Sequence, residues 1–196
     1  MHICPSFLLC IMKRLFIAIN VSPDEALLKA YSDLQLRCNK GKIKWVNPRL
    51  FHLTLKFLGD TPESDTEKIA KVLYIIAASY NSFTFNLKGI GIFGSSYRPR
   101  IIRVNIDNGE QLIQLGNIIR QELNQIGFQD DRQNFVPHIT LGRVKKVQDK
   151  IFFQKSINLY NEIHFQEVRV SEILLYESIL HPHGPEYIIL DRFILL

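Results

Sequence analysis

The sequence predicts an α+β protein of two pseudo-symmetric lobes, with antiparallel sheets facing a central cleft and helices on the outside. Two observations carry that expectation. Capped segments of helical periodicity are interspersed with β-rich apolar runs in no regular strand-helix-strand order. One short pattern, His-[Leu/Ile]-Thr-Leu, also occurs twice, in FHLTLKFLG (residues 51–59) and VPHITLGR (residues 136–143), each within its own block of strands and helical companion. The 196 residues, 46% of them hydrophobic, suffice for one domain with a substantial core.

The elements follow in order. RLFIAINV (14–21) reads as a strand, and Ser22, Pro23 and Glu25 supply an N-cap, a first-turn proline and a capping box for a helix running to about Cys38. Gly41 ends it, and Ile43 to Val46 reads as a short strand before the turn at Asn47 and Pro48. The first motif strand comes next. Ser64-Asp-Thr-Glu67 opens a second helix with Ile69, Val72, Leu73 and Ile76 on one face. Strands are expected at 83–87, 89–93 and 99–106, and a third helix at 111–126 with Gly127 as its stop. After the second motif strand, the rest reads as strands near 165–176 and 186–190, joined by a Pro/Gly loop.

The opening MHICPSFLLCIM is apolar, but it contains Pro5, lacks a basic start and spans about ten residues where a membrane helix needs ~20. Met12 is followed by a strand-like KRLFIAIN, so residues 1–11 read as an N-terminal extension and 12–196 as a single bilobal domain. Cys4, Cys10 and Cys38 form neither a disulfide framework nor a zinc pair, and suit free thiols in a reducing, cytoplasmic setting. A net charge of +5 is compatible with an anionic substrate but too dispersed for a duplex-binding surface.

Side chains alternate across a strand, so His52, Thr54 and Lys56 share one face while Phe51, Leu53, Leu55 and Phe57 share the other. The same counting sets His138 and Thr140 on one face, with Ile139 and Leu141 behind. Two His-x-Thr pairs facing one groove suit chemistry on a phosphodiester. One imidazole takes a proton from water while the other gives one to the departing oxygen, and the hydroxyls bond non-bridging phosphate oxygens. A single His-x-Thr is more often structural; two copies that use two of only six histidines are not. No metal or other cofactor is required.

These motifs, together with KRLFIAIN, Trp45-Val46, LKFLGD, GIGIFG, RPRIIRV, FVPHITLGR, LYES and GPEY, resemble the two-histidine phosphoesterases, and among them the RNA 2′,3′-cyclic phosphodiesterases, historically called 2′-5′ RNA ligases. The resemblance covers nearly all of the chain from Met12 onward. It implies metal-independent opening of an RNA-terminal 2′,3′-cyclic phosphate to a 2′-phosphomonoester. By motif position it implies His52 as proton donor to the leaving 3′ oxygen, His138 as proton acceptor from water, and Thr54 and Thr140 as phosphate holders. RNA ends or small cyclic nucleotides are the expected partners, no membrane is involved, and the default state is a monomer.

Arg143 suits either phosphate neutralisation or a structural salt bridge, and strand counting sets it opposite His138 unless Gly142 disturbs the pleat. Arg100 and Arg103 lie on a strand that is a candidate to line the cleft, although scattered arginines are more often solvated. Phe135 and Tyr97 are candidates for stacking a base, and His181 with His183 reads as a surface loop. Two alternatives stand beside hydrolysis: ATP-independent 2′-5′ RNA joining or opening of a small cyclic nucleotide by the same histidines, and a nucleotide- or RNA-end-binding module without chemistry.

Overall fold

A computed structural model describes residues 11–129, 135–182 and 184–196. It contains nine strands, β1 (Met12–Asn20), β2 (Lys42–Trp45), β3 (His52–Pro62), β4 (Phe83–Gly94), β5 (Pro99–Asp107), β6 (Ile139–Lys146), β7 (His164–Val170), β8 (Glu172–His181) and β9 (Gly184–Ile194). Four α-helices accompany them, α1 (Glu25–Arg37), α2 (Thr66–Ala77), α3 (Glu110–Gln125) and α4 (Lys150–Asn158). All recorded strand pairs are antiparallel, in the order β7-β4-β5-β6-β3-β1-β8-β9, with β2 paired to β6.

The expected α+β class holds, and the two sheets prove to be halves of one curled sheet. One lobe is β7-β4-β5-β6 with β2, the other β3-β1-β8-β9, and among the described residues the strand pairing that joins them is Leu53 with Ile139. Both residues are fully buried, so the seam is apolar beneath while the strands diverge around it. The lobes are interleaved along the chain, contrary to the expectation that each strand block keeps its own helices. The helix α1, which follows β1, packs on β7 and α4 of the opposite lobe, and α3, which follows β5, packs on β3 and α2.

The core lies between the sheet and the helices. Leu15, Ile17 and Ile19 of β1 and Leu53 and Leu55 of β3 join Leu27 and Leu34 of α1, Ile69 and Leu73 of α2, and Leu112, Leu115 and Ile119 of α3. Strand β1 is apolar on its other face too, where Phe16 and Ala18 cluster with Leu174 and Tyr176 of β8. That second cluster lines the cleft.

Local differences from the sequence reading have identifiable causes. Asp24, not Ser22, caps α1, its carboxylate accepting from the Leu27 amide. A 3₁₀ turn at Glu63–Asp65 occupies the proposed capping box, and α2 starts at Thr66 with no side-chain cap bond. The strands expected at 83–87 and 89–93 are one, β4, interrupted by a register shift at Gly89 (φ 78°). Conversely, 165–176 divides into β7 and β8. The unforeseen helix α4 is capped by Asp149, which accepts from the Phe152 amide, and buries Phe153 and Ile157. Among the described residues no helix is long and apolar enough to cross a membrane. Of the cysteines, Cys4 and Cys10 lie outside the described residues, and Cys38 is buried with its thiol pushed up to about 11 by desolvation.

Candidate active site

Both motif strands carry the same irregularity directly after their threonine. On β3, Thr54 pairs with Ala18 and Lys56 with Ile17, leaving Leu55 as an extra residue; on β6, Thr140 pairs with Arg103 and Gly142 with Ile102, leaving Leu141 extra. Such a bulge sets two residues against one and shifts the alternation that follows. Both leucines are buried, which accounts for the shared fourth position of the two motifs.

The bulges decide which later residues enter the cleft. Lys56 is turned away from the catalytic face that simple parity assigns it. It is 5% exposed and donates to the Asn124 side chain of α3 at 3.2 Å, although its stem still borders the neighbouring cavity. Phe57 turns the other way, pairing with Phe16 on the cleft side. Arg143 likewise moves to the Thr140 face, because its partner Ile101 lies two residues from Arg103, the partner of Thr140, and so shares its face. Gly142 opposes Trp45, and a Cβ there would lie 3.0 Å from atoms of Ile43 and Trp45, so a side chain at 142 would crowd β2.

The histidines are brought together at the seam between the lobes. Extending the Leu53–Ile139 pairing by one residue each way sets His52 across from Thr140 and Thr54 across from His138. Each lobe thus presents its threonine to the other lobe's histidine. The two imidazoles are held alike. Nδ1 of His52 lies 2.8 Å from the Leu50 carbonyl, and Nδ1 of His138 lies 2.8 Å from the Val136 carbonyl. A carbonyl only accepts, so Nδ1–H donates and Nε2 is left as the exchangeable position. Aromatic rings fix the imidazole planes: Tyr187 meets His52 edge-on at 5.2 Å, with Phe16 also at 5.2 Å, and Phe93 meets His138 edge-on at 4.7 Å.

Burial holds both imidazoles below the usual 6.5, outweighing the carbonyls that favour their charged forms. His138 and Arg143 add to this at His52, while Arg103 and Arg143 add to it at His138. Arg143 therefore acts on both. It also opposes the upward push that burial gives the Tyr187 hydroxyl.

Cavities flank the pair. One of about 590 Å³ is bordered by Thr54, Phe57, Phe93, Arg98, Arg100, Arg120, Phe135 and His138. The other, of about 210 Å³, is bordered by Asn20, Arg49, His52, Tyr176, Tyr187 and Arg192. Arg100 borders the larger cavity, at the register shift beside Gly94. Phe135 reaches it too, while packing so closely on α3 that a Cβ at Gly116 would lie 2.5 Å from its ring.

Tyr97 is drawn elsewhere. It is exposed, its ring lies under Lys150 Nζ at 3.4 Å, and it borders a separate cavity with Ile151 and Lys155. His181 sits on the β8–β9 hairpin with a ring nitrogen 2.9 Å from the Glu186 carboxylate, and His183 lies outside the described residues. Among the described residues no group of three or more His, Cys, Asp and Glu side chains is gathered to hold a metal ion.

Sequence reasoning missed the aromatic walls. Their one signal was strand β1, apolar on both faces, which marks a strand covered on both sides.

Comparison with known proteins gives the family of the chain. A family model described as the 2'-5' RNA ligase superfamily matches residues 17–179. A Thermotoga maritima protein named RNA 2',3'-cyclic phosphodiesterase is 37% identical over 180 residues, 90% of this chain and 92% of the relative. A Methanothermobacter thermautotrophicus protein of the same name is 31% identical over 92% of this chain and 97% of its own. In structure, a Thermus thermophilus protein, TT0787, superposes with a TM-score of 0.73 at 27% identity, covering 93% of this chain and 97% of that one.

Proposed function

The chain belongs to the 2'-5' RNA ligase superfamily, and from that premise we propose that it is an RNA 2′,3′-cyclic phosphodiesterase. On this reading it opens an RNA-terminal cyclic phosphate to a 2′-phosphomonoester with His52 and His138 as its acid–base pair and without metal. The observation that carries the reading is the Leu53–Ile139 pairing at the seam between the lobes, which brings the two His-x-Thr strands side by side.

The chemistry follows from the atoms. Water attacks phosphorus as His138 Nε2 takes its proton, the bond from phosphorus to the 3′ oxygen breaks, and that oxygen takes a proton from His52 Nε2. The 2′ bond is retained, and the two protons balance. A base must be neutral in the resting enzyme, and burial, with Arg103 and Arg143 beside it, favours the neutral form of His138. Thr54 and Thr140 donate to the non-bridging oxygens, where negative charge is concentrated. Arg143 acts as a diffuse positive field over both imidazoles, and Arg100 lies further out, on the wall that an RNA strand would follow. The same site run backwards, with a 5′ hydroxyl in place of water, would join RNA ends; abundant water favours hydrolysis.

The test is incubation of the purified protein with a short RNA bearing a 2′,3′-cyclic phosphate in excess EDTA, with 2′- and 3′-phosphate products resolved. The expected product is the 2′-phosphate, at a rate unaffected by the chelator. Activity lost to EDTA and restored by zinc, or a 3′-phosphate product, contradicts the reading.

A further inference from the structure

Arg103 of β5 is held in an unusual way. It pairs with Thr140, so its side chain shares the cleft face with that threonine. Its guanidinium carbon lies 4.4 Å from the centre of the Phe93 ring, and the same ring meets His138 edge-on. The guanidinium is thus stacked one ring away from the imidazole. Yet its Nε is buried with no hydrogen-bond partner, and among the described residues no carboxylate pairs with it. Two residues along the same face, Asn105 Oδ1 is also buried and unpaired.

A half-buried cation without a counter-ion costs stability, and buried polar atoms in folded proteins almost always find partners. The arrangement becomes favourable once an anion arrives. Arginine suits that role: its planar group lies over Phe93 and carries N–H donors that match two oxygens of one phosphate. We propose that Arg103 is the anion-binding cation of the cleft, its guanidinium contacting the phosphate group beside His138. This rests on the phosphodiesterase reading and deepens it, because it assigns the phosphate charge to Arg103 rather than to Arg100, which lies at the register shift beside Gly94.

The same contact makes Arg103 a positioning residue for proton transfer. Its charge helps hold His138 neutral in the free enzyme, alongside burial. The arriving phosphate offsets that charge and lets the imidazole accept a proton.

The experiment compares the wild type with Arg103→Met, which keeps the stacked stem, and Arg103→Lys, which keeps the charge. Three quantities are read: the Kd for inorganic phosphate, the pH profile of kcat/KM on cyclic-phosphate RNA, and the unfolding midpoint. The Met variant is expected to bind phosphate about tenfold to a hundredfold more weakly, the effect of losing hydrogen bonds to a charged group. Its unfolding midpoint should equal or exceed that of the wild type, since an unpaired buried charge is gone. The acidic limb of its profile should move to higher pH, because removing a neighbouring cation raises His138. The Lys variant should recover part of the binding.

Unchanged phosphate affinity in the Met variant overturns the proposal, as does a fall in stability that accompanies the loss of binding. Phosphate titration needs no turnover. A wild type that does not open cyclic phosphate, yet loses phosphate affinity on Arg103→Met, overturns the phosphodiesterase reading and upholds the anion site.

Discussion

Replacing either His52 or His138 by alanine is expected to lower kcat/KM by about 10²- to 10⁴-fold, the range supplied by a positioned general acid or base. The two losses should be similar, and the double variant should lose far less than their product, because the pair acts as a unit. The fold should survive. Each imidazole makes one recorded hydrogen bond, to a carbonyl two residues earlier, and stands on the cleft face above the Leu53–Ile139 seam rather than in the main core. Single-turnover assays with matched circular dichroism spectra and unfolding midpoints check both parts. A variant that retains wild-type turnover removes that histidine from the mechanism.

Leu53→Ala is expected to cost about 2–5 kcal/mol of folding stability, as deletion of a fully buried leucine commonly does. For a chain of this size each kcal/mol corresponds to about 2–4 °C in Tm. Leu53 is fully buried and opposes the equally buried Ile139 at the strand pairing that joins the lobes among the described residues. The cavity left behind lies directly under His52 and Thr54, so turnover should fall together with stability. Urea unfolding measured beside kcat/KM checks this. A loss below about 1 kcal/mol would mean that the seam is held elsewhere.

Much of this site was legible because strand periodicity is local. His52, Thr54, His138 and Thr140 could be counted onto one face from their own neighbours. The same counting failed two residues after Thr54, at Lys56, because a bulge depends on the partner strand: only the pairing of β3 with β1 makes Leu55 the extra residue. For Arg143 the sequence already held the warning in Gly142. Arg103 looked like one scattered arginine among several, since its unpaired Nε and its stacking on Phe93 are tertiary facts. The aromatic walls escaped for the same reason. Phe16 and Tyr187 lie 171 positions apart in sequence but bring their ring centroids within 5.0 Å. The interleaving of the lobes is likewise non-local, because capping and periodicity locate a helix without saying which sheet it covers. The helix α4 was missed although Asp149, Phe153 and Ile157 supply a cap and an apolar repeat.

The central claim is that two imidazoles, both held below their usual ionisation range, divide the proton transfers between them. The pH dependence of kcat/KM from about pH 4 to about pH 9, for the wild type and both histidine-to-alanine variants, tests it most directly. Each histidine titrates below the free value because burial disfavours its charged form, so the wild-type profile should be a bell centred on the acid side of about 6.5. The His138→Ala residual activity should lose the acidic limb, since no base remains to be deprotonated. The His52→Ala residual activity should lose the alkaline limb, since no acid remains to be kept protonated. A flat wild-type profile, or variants that keep both limbs, would contradict the pair.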